Sequence, residues 1–341
     1  MPFLKKINEA HMKNGPGRFE YYLQKLEQLM LQSRQEMNPA LWLYHNDART
    51  VVFMLEGLSK LYAGLHNKKR FGKIKEDLKL LEDGLGVIDY YDAFSKEFTA
   101  DSRIPAPLIN YLEAQAREKI QHLNDILIQR GWIGENATRI SKIRKKLSDA
   151  DWMKDDEEMK EIRKFYKKSI DDINGFFSSL NNRLTEIETH AHELRRKLRW
   201  LSIYPKAMQG AIQLTTSNAE NISLKKYLTE EIVQSPYNKM PDACNNRYLL
   251  MLEKDYFLAL SWLISAMGKL KDDGLRIVCV SEAIMQTRGT GKVEALALAY
   301  QVLGEQQPRL TSILNDTTGI CETFFSEKNL DKLVAGIATV N

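Results

Sequence analysis

Apolar residues recur at steps of three and four along most of this chain, and that spacing constrains its fold more than any other feature. Leu55, Leu58, Tyr62 and Leu65 form one such stripe, and Ile170, Ile173, Phe177, Leu180 and Leu184 form another. Residues at these steps share one side of a helix, whereas a half-buried strand would alternate at every second residue. Nine prolines occur in 341 residues, and those at 105, 107, 205, 236, 241 and 308 fall between stripes, where the missing backbone donor does least harm. The pattern predicts helices near 17–36, 40–66, 71–98, 107–130, 137–149, 157–188, 189–204, 206–213, 220–232, 245–270, 275–287, 292–304 and 308–326. Leu275 to Val280 is rich in β-branched residues, but it lies among helical patterns without a partner strand and reads as buried helix. The expected fold class is all-α, with no strand.

The length suits two ordinary domains. The acidic, cap-prone stretch Ser148 to Glu158 marks the expected boundary, giving halves 1–150 and 151–341. Each half carries a helix with a histidine and following arginines, His45 and Arg49 in the first, His192, Arg195 and Arg199 in the second. Two pseudo-symmetric four-helix-like bundles packed together would explain this echo.

Composition narrows the function. Hydrophobic residues make up 43% and charged residues 28%, which with a mean hydropathy of −0.41 describes a globular, water-compatible chain. The opening MPFLKKINEAHMKN has no apolar core of secretory length, and the longest apolar stretch, Phe257 to Gly268, is too short to span a bilayer. A cytoplasmic protein without membrane attachment is expected. Cys244, Cys279 and Cys321 are odd in number and widely spaced, and read as reduced packing residues. A net charge of +4 is too mild to announce nucleic acid, so any anion site must arise from local clusters. Such clusters stand at 68–75, 139–146, 163–168 and 195–199.

His192, Arg195, Arg196 and Arg199 fall near one face of a helix and form a basic ridge, while Leu194, Leu198 and Leu201 point elsewhere. Like charges this close repel unless solvent screens them or an anion bridges them, and guanidinium forks suit phosphate oxygens. His45 and Arg49 are spaced to share a face of one helix, with Asp47 nearby. A solvated face and a packing histidine are the ordinary alternatives.

These two histidine helices, together with Leu78 to Phe94 (LKLLEDGLGVIDYYDAF), resemble the CHAD family, the conserved-histidine α-helical domain. The match is fullest at His192, Arg195 and Arg199. In the first half the step from His45 to Arg49 is one residue longer, and Val52 and Phe53 stand where that family is usually basic; Leu85-Gly86 with Asp89 and Asp92 echoes a further signature without its usual arginine. The resemblance implies inorganic polyphosphate held in a central basic channel, with no catalytic turnover and no cofactor. On this reading His45, Arg49, Lys73, His192, Arg195, Arg196 and Arg199 face a shared groove. The alternative is a helical interaction scaffold, which a homodimer would also satisfy, with the ridge as a solvated face.

Other chemistries fit less well. Arg288-Gly-Thr-Gly-Lys292 lacks the first glycine of a phosphate-binding loop and has Val293 where a metal-binding hydroxyl belongs, so it reads as a break between helices. His190 and His192 point to different sides of a helix, leaving Glu188 and His192 as the one well-placed pair for a metal-dependent phosphohydrolase. Trp42, Trp132, Trp152, Trp200 and Trp262 are scattered rather than interleaved with a basic patch, which disfavours single-stranded nucleic acid.

Overall fold

The computed structural model describes residues 14–135, 137–216, 222–243 and 246–340. The opening run discussed above, but for Asn14, and Cys244 lie outside the described residues, as do the expected helix starts at 220 and 245.

The all-α expectation is borne out, and a small sheet is added to it. The helices of the first half are α1 (Asn14–Ser33), α2 (Pro39–His45), α3 (Ala48–Leu65), α4 (Lys68–Thr99), α5 (Ala106–Gln129) and α6 (Arg139–Ser148). They are followed by α7 (Asp155–Ser179), α8 (Glu193–Ala207), α9 (Glu230–Gln234), α10 (Lys254–Arg288), α11 (Lys292–Leu303) and α12 (Leu310–Ser326). Among the described helices none is long and apolar enough to cross a membrane. Helix α3 lies innermost: it packs on α1, α4, α7 and α8 and buries Val52, Leu55, Leu58 and Tyr62 completely. Helix α8 in turn touches both α3 and α10.

One apolar cluster runs from Phe19 to Leu333 and so crosses the boundary expected near 148–158. A second gathers Phe98, Leu108 and Leu112 with Ile277, Val280 and Ile284 of α10, Ala295 and Ala299 of α11, and Ile313 of α12. A buried ion pair also joins the halves: Arg18 Nη1 lies 2.6 Å from Glu158 Oε2 and 2.8 Å from the Tyr62 hydroxyl. Burial pulls the Arg18 pKa down, and Tyr62 and Glu158 more than reverse it, so the net shift is upward.

Five expectations about elements change. The helix expected over 40–66 is cut at Asn46 and Asp47: Asn46 caps α2 onto Trp42 O, and Asp47 takes a left-handed φ of 56°, which asparagine and aspartate tolerate better than most residues. The helix expected to reach 188 stops at Ser179, because Asn181 and Asn182 are both left-handed. A π-type turn, Ile187–His192, then leads into α8. Pro205, expected to stop a helix, sits inside the last turn of α8; the Leu201 carbonyl that its missing N–H would have bonded accepts from Tyr166 Oη at 2.9 Å instead. The two helices expected over 245–287 are one α10, running through Gly274, where a Cβ would stand 2.9 Å from Ile187 Cδ1.

The fifth change is the sheet, which also displaces the helix expected over 206–213: α8 ends at Ala207 and residues 212–214 are strand. β1 (Ile212–Leu214) pairs parallel with β2 (Tyr248–Leu252), which pairs antiparallel with β3 (Val334–Thr339), in the order β1-β2-β3. Tyr248-Leu-Leu-Met-Leu is a continuous apolar run that suits helix and buried strand alike, and its partners lie far away along the chain. Periodicity had no means of finding them.

Candidate functional site

Helices α3 and α4 form an antiparallel hairpin, and α8 lies across α3 at Gly57, where a Cβ would meet Trp200 at 3.3 Å. Helical spacing then aligns three stripes. On α3 these are Arg49, Phe53, Glu56 and Lys60; on α4, Lys75, Lys79, Glu82, Gly86 and Asp89; on α8, Arg195, Arg196 and Arg199, with His192 at its N-cap.

At the centre is Phe53. The Arg49 guanidinium carbon lies 5.6 Å from its ring centroid and that of Arg199 5.2 Å, with the Trp200 ring 6.0 Å away. Arginines from the two halves therefore share one aromatic plate, at a position where the resembled family is usually basic. Cations over an aromatic face gain from the ring's quadrupole, and more so when water is partly excluded. Burial, with Arg49 adding to it and Glu82 opposing, lowers the Arg199 pKa.

Arg49 and Arg195 are held in the same way. Arg49 lies over Gly86, whose Cβ would stand 2.7 Å from Nη2, and Arg195 over Gly268, whose Cβ would stand 2.9 Å from Nη2. Each then donates to a group four residues before its glycine. Arg49 reaches the Glu82 carboxylate at 2.9 Å, and also Asp89 at 2.9 Å. Arg195 Nε reaches the backbone carbonyl of Ile264 at 3.0 Å. Lacking a carboxylate, Arg195 has its pKa lowered to about 10 by burial and by Arg199, against a weaker opposing pull from Asp272.

Lys60 Nζ stands 4.8 Å over the Trp200 ring. Burial, then Lys75, Arg196 and Lys197, lower its pKa to about 8, with Glu56 opposing. Glu56 is pushed upward by burial and by Glu82. Among the described residues Lys60, Lys75, Arg195 and Arg199 form no ion pair with a carboxylate, whereas Arg196 and Lys197 both engage Glu193, at 2.7 and 3.4 Å. His192 Nδ1 lies 3.7 Å from Glu188 Oε2, too far for a hydrogen bond, and burial lowers its pKa. The surface where these faces of α3, α4 and α8 converge, called the trough below, thus holds more cations than its carboxylates engage.

Of the seven residues expected to share a groove, Arg49, Arg195, Arg196, Arg199 and His192 lie along or beside this trough. His45 does not join them: it is exposed at the end of α2 with its ring 5.2 Å from Tyr44, and the break at Asn46–Asp47 takes it off the helix that carries Arg49. Lys73 is exposed and lies about 200° around α4 from Lys75. The electrostatic partner of Lys60 is Lys75, not Lys73. Lys60 and Glu82 were not singled out from the sequence; Lys75 was read only as part of the 68–75 cluster, and Phe53 only as a departure from the family's pattern. The signal for Lys60 and Glu82 was the repeat of charged residues at steps of three and four on α3 and α4, on the same side as Arg49.

The rival motifs resolve simply. Gly289 (φ 66°) ends α10 and Gly291 precedes α11, so residues 289–291 form the break between the two helices. Cys279 and Cys321 are free and buried, and burial pushes both thiols up to about 12. Among the described residues no three His, Cys, Asp or Glu side chains gather closely enough to hold a metal. Comparison with protein-family models, with curated proteins and with solved structures finds no match for this chain, so its function has to be argued from the geometry of the trough.

Proposed function

We propose that the chain binds a phosphate-rich polyanion, inorganic polyphosphate being the simplest, in the trough between α3, α4 and α8, without catalysing a reaction. The observation that carries this reading is the meeting of Arg49 and Arg199 on Phe53, beside Lys60, Lys75 and Arg195, which no carboxylate among the described residues neutralises. Half-buried cations that repel one another raise the free energy of the empty site, and an oligoanion threading between them relieves it. Guanidinium groups held in fixed positions by Gly86 and Gly268 lose little freedom on binding. The resemblance of His192, Arg195 and Arg199 to the CHAD family supports the same ligand.

The test is titration of labelled polyphosphate of graded chain length, followed by anisotropy, between about 50 and 200 mM salt. Affinity is expected to fall with salt and with shorter chains. Arg195→Glu with Arg199→Glu is expected to abolish binding while leaving the melting temperature near that of wild type.

A second reading has its own observation. Arg49 is engaged by Glu82 and Asp89 and Arg196 by Glu193, which favours a helical interaction scaffold whose charges are partly self-neutralised. Wild-type protein that fails to bind polyphosphate at low salt would select it.

A further inference from the structure

The outer edge of β3, with the flank of α7 beside it, is independent of the trough. In the β2–β3 register Ile337 faces Leu250 and Ala338 faces Leu249. Leu250 N–H donates to Ala211 O, toward β1, and Val340 N–H donates to Arg247 O. Antiparallel pairs alternate between bonded and non-bonded positions, so Gly336, Ala338 and Val340 spend their backbone groups on β2. Those of Ile337 and Thr339 point away from it. Among the described residues no strand pairs with that side.

Edges of this kind are normally blunted by charge, proline or a bulge. Val334 to Val340 reads VAGIATV, with neither charge nor proline. The one irregularity, opposite Met251/Leu252, lies at its beginning. The edge is left open for pairing.

A groove of about 390 Å³ borders it, lined by Ile337 and by Glu157, Lys160, Glu161, Arg163, Lys164 and Lys167 of α7. Lys160 is paired with Asp156 and Lys164 with Glu161. Arg163 Nε has no partner, and Lys167 forms no ion pair among the described residues. Glu157 likewise forms none, so of the unpaired charges on the groove wall two are positive and one negative, a net positive surplus. Lys160 to Lys167 spans roughly 10 Å along the helix, while alternate side chains of a strand stand roughly 7 Å apart.

We infer that an extended acidic peptide adds to the sheet along β3, its main chain bonding to Ile337 and Thr339 and its alternate carboxylates facing Arg163 and Lys167. Charge selects this occupant over a second copy of the chain, because pairing two β3 edges would bring two cationic α7 flanks together.

The probe is a labelled peptide of about eight residues with Glu and Val alternating, compared with its Lys–Val counterpart and with a form N-methylated on the edge-facing amides. The acidic peptide is expected to bind at low salt, the basic one at least roughly ten-fold more weakly, and the methylated one as weakly as the basic one. Lys167→Glu is expected to weaken binding several-fold. So is Ile337→Pro, which removes only an outward N–H; if proline disturbs the sheet, Ile337→Glu serves, because it sets a like charge beside the peptide's carboxylates. Equal binding of the methylated peptide overturns strand addition. Failure of the acidic peptide to bind overturns the site, and a dimer in solution that Ile337→Pro dissociates replaces the peptide with a second copy.

Discussion

Arg49 and Arg195 lie alike on a glycine of a long neighbouring helix, and what waits beside each glycine separates the two regions. Arg49 meets the carboxylates of Glu82 and Asp89, while Arg195 meets only the Ile264 carbonyl. A compensated guanidinium is part of the structure, and removing it strands its partner. An uncompensated one contributes little to folding and remains available to a ligand. Arg18, sealed with Glu158 and Tyr62, is the compensated extreme, and Arg199, stacked on Phe53 without a carboxylate, the opposite one.

The largest effect that could break this contrast lies at Arg18. Arg18→Ala leaves the Glu158 carboxylate buried and is expected to cost about 3–5 kcal/mol of stability by denaturant unfolding. Arg199→Ala should cost no more than about 1 kcal/mol; comparable losses at both sites would remove the distinction. Next comes binding. Arg199→Glu is expected to weaken polyphosphate by at least about ten-fold and to lower the salt slope by about one, with Arg49→Ala weakening it less.

Proton linkage at Lys60 gives a third test. Its folded pKa of about 8 lies below the ordinary 10.5, so between those values the unfolded chain holds more protons and stability rises with pH. A bound polyanion favours the charged amine, so affinity should fall as pH climbs through about 8, and Lys60→Arg should flatten the profile. Glu82→Gln sharpens the contrast from the other side: freeing Arg49 and removing a negative charge should tighten polyphosphate a few-fold in the same anisotropy assay. The smallest effects belong to the glycines. Gly86→Ala and Gly268→Ala each displace the far end of a flexible arginine and should change stability by no more than about 1 kcal/mol. Only Gly268→Ala should weaken binding measurably, because Arg195 is the uncompensated member.

Much of the helical fold was legible because buried faces repeat at steps of three and four, as in α3, where Val52, Leu55, Leu58 and Tyr62 are all buried. The breaks were less so. Asn181 and Asn182 are compatible with a helix interior until their left-handed conformations are seen, and Pro205 looks like a stop until Tyr166 supplies the missing donor to Leu201. At the site, the ridge on α8 could be read from spacing within one helix. Lys60 and Lys75 could not be joined to it, since nothing along the chain says which side of α4 faces α8.

Within one helix, geometry is a function of sequence distance, so the sequence by itself determined the predominance of helices and the ridge of Arg195, Arg196 and Arg199 that His192 leads into. Which carboxylate meets which arginine, that Phe53 serves two guanidinium groups, and that β1, β2 and β3 find one another were decided only by tertiary structure. Those contacts join residues remote along the chain, and their energies depend on burial and distance, which packing alone sets.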